Sequence, residues 1–200
     1  LSNAPESSDS NFTWDSFQNT INKDLADVLG NFIARVTKFS FSKFGGKIPT
    51  NNEFGKLEEN TIEEIKKCYD LYNHFLSKIE IRKASQELRN IWVIGNEYLQ
   101  KAQPWAIFKN DENQTRMIIR FSFNLIYFYS LISEPFIPCA CDKIRKHFGF
   151  TNISKWPKNF NYFLENVTYV KDITPPEILF PKITDQEKEV FREKYSGLNL

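Results

Sequence analysis

The sequence predicts an all-α fold, an antiparallel helix bundle of about five helices with an extended C-terminal tail. Apolar residues recur at three- and four-residue steps along most of the chain, and no strand-like alternation is sustained. The interruptions are mostly short and hold Gly, Pro or capping residues, as expected for helices that fold back on one another.

The first helix is predicted from Asp15 to about Phe44, with Phe17, Ile21, Leu25, Val28, Leu29, Phe32, Val36 and Phe39 on one face. Gly45 and Gly46 stop it, and a loop carrying Pro49, Asn51, Asn52 and Gly55 follows. The second helix opens at Thr61, which stands at capping-box spacing from Glu64, and buries Ile62, Ile65, Tyr69, Tyr72, Leu76 and Ile79. A third spans roughly Arg82 to Ala102 with Leu88, Ile91, Trp92, Gly95 and Leu99 inward. Gly95 admits a neighbouring helix closely, and Pro104 ends or redirects the segment. The fourth starts from an Asp111 cap and runs to Ser133, just short of Pro135. It is apolar nearly all round, which makes it the central helix. Pro138 opens a fifth, closed by Gly149. After Pro157 a short amphipathic piece leads into an irregular tail with Pro175, Pro176 and Pro181, and Thr184 with Glu187 caps a last, charged helix.

Composition narrows the function. The 26 Lys and Arg nearly balance the 25 Asp and Glu, so the chain is not a basic coat for nucleic acid, and any RNA contact is local and shaped. With 41% hydrophobic and 16% aromatic residues the chain has the material for a bulky core. Cys68, Cys139 and Cys141 are too few for a disulfide framework and lack zinc-knuckle spacing, so they read as small buried thiols and no metal site is expected. The longest uncharged apolar run, Phe121 to Ser133, is shorter than the roughly 20 residues of a bilayer span, so no membrane partner is expected. Residues 1–11 read as an expression remnant and linker, residues 12–165 as the bundle and residues 166–200 as the tail.

Two stretches carry chemistry. The segment from Asn96 to Gln103 closes a helix on the step Pro104-Trp105, which presents an indole instead of burying it. Some 70 residues earlier, Gly30-Asn31 is followed by Arg35, and the spacing of four puts Asn31 and Arg35 on one helix face. An exposed Trp is a stacking platform for an unpaired base, an amide offers donor and acceptor, and a guanidinium offers a planar donor fork. Taken singly, Trp105 reads as a loop-packing residue, Asn31 as a solvated amide and Arg35 as a surface charge. The combination favours a nucleic-acid role. Trp14, Trp92 and Trp156 lack such context and read as core or half-core residues.

Together these stretches resemble the anticodon-binding domain of bacterial methionyl-tRNA synthetases, class I enzymes. The likeness runs from about Phe12 to Ile183 and includes the turns Gly45 to Pro49, Ser133 to Pro138 and Leu179 to Ile183. It implies a helix bundle that recognises the CAU anticodon of tRNA(Met), with Asn31, Arg35 and Trp105 reading the cytosine and Pro104, Lys101 and Lys109 as secondary RNA contacts. It further implies a tail packing back toward a catalytic domain, and a parent enzyme, a cytoplasmic methionine–tRNA ligase, using ATP and zinc in that domain. Neither a HIGH-type motif nor a KMSKS loop stands in this sequence. Lys38 to Lys43 departs from the latter and continues a helical periodicity, so the chain itself is expected to bind tRNA without charging it and to need no cofactor. A monomer is expected. The competing readings are a helical protein-interaction module without RNA binding and the corresponding domain of another class I synthetase.

Overall fold

The computed structural model describes residues 3, 5–6, 9–50, 53–150, 156 and 172–196, and the described segments with regular structure are all helical. The chain begins with a long rod: α1 (Trp14–Asn19), a π-helical segment (Thr20–Gly30) and α2 (Asn31–Phe44). Thr13 caps it by accepting the Ser16 N–H at 3.1 Å, and Gly45 closes it in the left-handed region at φ 61°. The rod matches the single helix that the sequence predicts, but the π-helical segment is not signalled by 3.6-residue periodicity. Its wider turns rotate the faces on either side. Leu29, Phe32 and Val36 are buried as predicted, Ile33 joins them, and Phe17 is exposed instead of buried.

A hairpin of α3 (Lys56–Ser77) and α4 (Ile81–Ala102) packs beside the rod. Helix α3 starts well before the predicted Thr61. Its true capping pair is Gly55 and Glu58: the Glu58 carboxylate accepts the Gly55 N–H at 3.0 Å and the Tyr98 hydroxyl at 2.7 Å, while almost fully buried. Thr61 lies inside the helix and donates to the Leu57 carbonyl at 2.8 Å. Burial and the neighbouring Glu58 push the Tyr98 hydroxyl well above the usual phenol range, which keeps it a donor to that carboxylate.

At the hairpin turn the sequence reading also fails for Ile79. It is 76% exposed and left-handed, at φ 59°, in a Schellman turn in which Glu80 N–H donates to Phe75 O and Ile79 N–H to Leu76 O. A β-branched residue there is strained by roughly 1–2 kcal/mol. Ile79→Gly is therefore expected to raise the stability by about 1 kcal/mol, net of glycine's extra chain entropy, as read in thermal melts.

The short helix α5 (Pro104–Ile107) leads to α6 (Glu112–Ile132), which is buried continuously from Met117 to Ile132 and forms the centre of the bundle. Asp111 caps α6 as predicted, its carboxylate accepting the Gln114 N–H at 2.8 Å. The hydroxyls of Tyr72 and Tyr129 donate to the carbonyls of Ile132 and Ile91 at 2.6 and 3.1 Å, pinning α6 to the hairpin. Gly95 sits where the two helices meet: a Cβ added there would stand 2.1 Å from the Tyr129 hydroxyl oxygen.

Helix α7 (Pro138–Phe148) ends at a left-handed Gly149, as predicted. Its buried Arg145 donates to the Ser130 carbonyl and pairs with Glu134 at 3.1 Å, tying α7 to the end of α6. The cysteines divide differently from the prediction: Cys141 is buried, Cys68 half-buried, and Cys139 exposed because it lies in the first turn of α7. Burial pushes the Cys141 thiol up to about 12, and burial with Glu87 pushes Cys68 up to about 11. Among the described residues no group of three or more His, Cys, Asp and Glu stands ready to hold a metal ion. No helix among them is long and apolar enough to cross a membrane.

The tail returns to the rod. Ile173 donates its N–H to the Gly46 carbonyl at 2.8 Å, and residues 174–184 run without regular structure to α8 (Asp185–Lys194), whose capping box of Thr184 and Glu187 is as predicted. Helix α8 lies on α1, with Lys188 2.7 Å from Asp15 and Trp14 stacked on Tyr195 at 5.9 Å between ring centroids. Trp14 and Trp92 are half-buried and buried, as predicted. Trp156 is 39% exposed, its indole resting on Tyr72 and donating to Asn73. The amphipathic piece after Pro157, the boundary between residues 165 and 166, and Asn51 and Asn52 lie outside the described residues.

Candidate nucleic-acid interface

The geometry around Trp105 begins with the end of α4. Gln103 takes a left-handed conformation at φ 44°, which turns the chain sharply, and Pro104 follows as the first residue of α5. Pro104 is buried in the turn while Trp105, next along, is 43% exposed. Phe108, just past α5, holds the short helix in place by packing edge-on against Phe39 and Phe44 of α2, at 6.0 and 5.7 Å between ring centroids. The indole is thus carried on a braced turn at the surface.

Arg35 reaches across from α2. Its guanidinium carbon lies 4.7 Å from the centroid of the Trp105 ring, a cation–π contact, and one of its nitrogens lies 3.5 Å from the Gln100 side-chain oxygen. Asn31, one helical turn before Arg35, is exposed at the same surface. The structure therefore brings Arg35 to Trp105 and sets Asn31 beside Arg35 in an open groove of about 330 Å³ between the rod and α4. Lys101 is exposed and only loosely paired with Glu97 at 3.9 Å. Lys109 is exposed beyond α5, and neither lysine lines the groove.

Sequence reasoning missed the α4 side of the groove: Val93, Asn96, Glu97 and Gln100, with Asp27 and Val28 completing the rod side. A signal existed, because 93, 96, 97 and 100 share one face at helical spacing and run directly into Pro104-Trp105. Asn96 has a defined task. Its amide nitrogen donates to the Val28 and Trp92 carbonyls at 3.0 and 3.1 Å, bridging α4 to the last turn of the π-helical segment, directly before Asn31. Its side-chain oxygen is buried without a hydrogen-bond partner.

Chemically, the surface places an exposed indole, with a guanidinium lying over it, next to a groove lined by amides and the carboxylates of Asp27 and Glu97. Such a set can stack an unpaired base and address its polar edge. It holds no side-chain pair arranged as nucleophile and base.

Comparison with known proteins identifies the family. A family described as the anticodon binding domain of methionyl tRNA ligase matches residues 48–199, and one described as class I tRNA synthetases (M) matches residues 1–37. The methionine–tRNA ligase of Ruegeria sp. (strain TM1040) is 46% identical over 197 residues, 98% of this chain and 34% of that protein. That of Paracoccus denitrificans is 45% identical over 198 residues, 99% of this chain and again 34% of that protein. The chain thus spans about a third of the length of these relatives. Among solved structures, the free form of Mycobacterium tuberculosis methionyl-tRNA synthetase superposes with a TM-score of 0.75 at 19% identity, over 91% of this chain and 37% of that one. The same enzyme bound by methionyl-adenylate gives 0.74 over 89% and 35%. At that identity the likeness concerns the fold. These similarities do not favour a helical interaction module, and with the family matched over residues 48–199 the chain belongs to the anticodon-binding domains of methionyl-tRNA ligases.

Proposed function

We propose that this chain selects tRNA(Met) by its CAU anticodon, reading the cytosine with Asn31, Arg35 and Trp105. The observation that carries the proposal is the Arg35 guanidinium held 4.7 Å over an exposed Trp105 at the edge of a groove that Asn31 lines. Trp105 stacks the extruded base. Arg35 donates to the base acceptors N3 and O2, which distinguishes cytosine from uracil because uracil carries a hydrogen at N3. Asn31 supplies a further donor and acceptor on the same face. Pro104 fixes the turn that presents the indole, and Lys101 and Lys109 flank it as phosphate contacts. The near-neutral charge of the chain is compatible with this role, because stacking supplies affinity without a continuous basic surface.

In the whole protein, the domain works beside a catalytic domain that ligates methionine to tRNA(Met) with ATP in the cytoplasm. The present residues contribute tRNA selection and no bond-making step. Competition between CAU and UAU stem-loops tests the assignment. Arg35→Gln is expected to cut the preference for CAU about tenfold, within the range of a good base contact. An unchanged preference removes Arg35 from the readout.

A further inference from the structure

The tail meets the rod on the residues that lead up to Asn31. The Ile183 carbonyl accepts from Gln18 and Asn22 at 3.0 and 2.9 Å, and its N–H donates back to the Asn22 oxygen at 2.8 Å, so the chain is held here in a fixed register. Phe180 seats against Gly30: a Cβ on that glycine would stand 3.3 Å from the Phe180 ring, tighter than ordinary packing. Between these two anchors, the Lys182 ammonium lies 2.6 Å from the Asp27 carboxylate. Asp27 lines the groove, one helical turn before Asn31.

The pair is half-exposed, 58% on the Lys182 side and 41% on the Asp27 side, so it contributes little to folding. Its consequence lies in the groove. A bare carboxylate at Asp27 repels a polyanion entering beside it, and an ammonium 2.6 Å away cancels that charge. We propose that Lys182, delivered by the tail, is a positioning residue of the RNA site. It masks Asp27 so that the groove accepts the anticodon loop, and the Ile183–Asn22 and Phe180–Gly30 contacts set the register that brings it there. This inference rests on the proposed anticodon reading and extends the site to a segment some 150 residues away along the chain.

The test uses the 200-residue chain with CAU and UAU stem-loop RNAs at low and high salt. Lys182→Met is expected to weaken CAU binding about tenfold at low salt, with a smaller loss at high salt, where charge is screened. Its melting temperature is expected to stay close to that of the parent. Adding Asp27→Asn to Lys182→Met is expected to restore affinity to near the parent value, which a merely structural role for the tail does not produce. Unchanged binding by Lys182→Met overturns the inference. So does a double variant that stays as weak as the single one, because Lys182 then touches the RNA itself. Absence of any CAU preference in the unmodified chain is a separate result that retires the anticodon reading, and the inference with it.

Discussion

Replacing Trp105 with alanine is expected to weaken binding of a CAU stem-loop by roughly 1–3 kcal/mol, the range for one base stacked on an aromatic ring. Little stability is expected to go with it. The indole is 43% exposed and its main partner is the Arg35 guanidinium, an exposed cation–π contact contributing roughly 0.5–1 kcal/mol. Circular dichroism melts of Trp105→Ala should therefore nearly overlay those of the parent, while titration with the RNA should not. Trp92 is the contrast within the same chain. It is 4% exposed and donates to Ser133 at 3.2 Å, so Trp92→Ala is a core deletion. If Trp105→Ala instead melts like a core deletion and binds RNA in proportion to its folded fraction, the indole is a packing residue.

Gly95→Ala is expected to destabilise the chain, although it adds only one methyl group. In a helix interior, alanine is ordinarily favoured over glycine by about 1 kcal/mol. Here the sign reverses, because the new methyl meets the Tyr129 hydroxyl at 2.1 Å and its ring carbon at 3.2 Å, with Phe32 at 3.4 Å. Tyr129 is fully buried, packed on Phe32 and bonded to the Ile91 carbonyl, so moving aside costs those contacts. Overpacking of this kind costs about 1–3 kcal/mol, and Gly95→Ala is placed at the upper end of that range. Urea unfolding measures it. Tyr129→Phe in the Gly95→Ala background is expected to recover about 1 kcal/mol, since removing the hydroxyl removes the closest contact. Equal stability of Gly95→Ala and the parent would show that α4 and α6 part more easily than their packing indicates.

Local signals made much of the fold legible in the sequence. Asp111, Gly149 and the Thr184–Glu187 pair act as caps where their residue types say they should, because a cap depends on its own few neighbours. The uniform apolarity around Phe121 to Ser133 identified the central helix for a similar reason: a helix without a polar face is stable only when surrounded. Where the reading misplaced the start of α3, a distant contact had decided the outcome. Thr61 and Glu64 have capping-box spacing, yet the helix starts at Lys56, because Glu58 gains a partner in Tyr98 forty residues on. The π-helical segment leaves no mark in the apolar spacing, and Asn96 of α4 bonds the Val28 carbonyl within it.

The candidate site was legible in part for the same reason. Asn31 and Arg35 share a face by spacing alone, and Pro104 announces the turn that exposes Trp105. That Arg35 lies over Trp105 depends on how the rod packs against the α4–α5 corner. Lys182 could be linked to Asp27 only by the fold, since nothing in the local sequence of the tail points to a carboxylate on the rod.

The most direct measurement is the affinity of the unmodified chain for a CAU anticodon stem-loop and for a matched loop with the cytosine changed to uracil, both at one stated salt concentration. A preference for CAU of about tenfold or more, corresponding to roughly 1–3 kcal/mol for one good base contact, is expected if Asn31, Arg35 and Trp105 read that base. Equal affinity for the two loops would reduce the interaction to phosphate attraction and contradict anticodon reading by this surface.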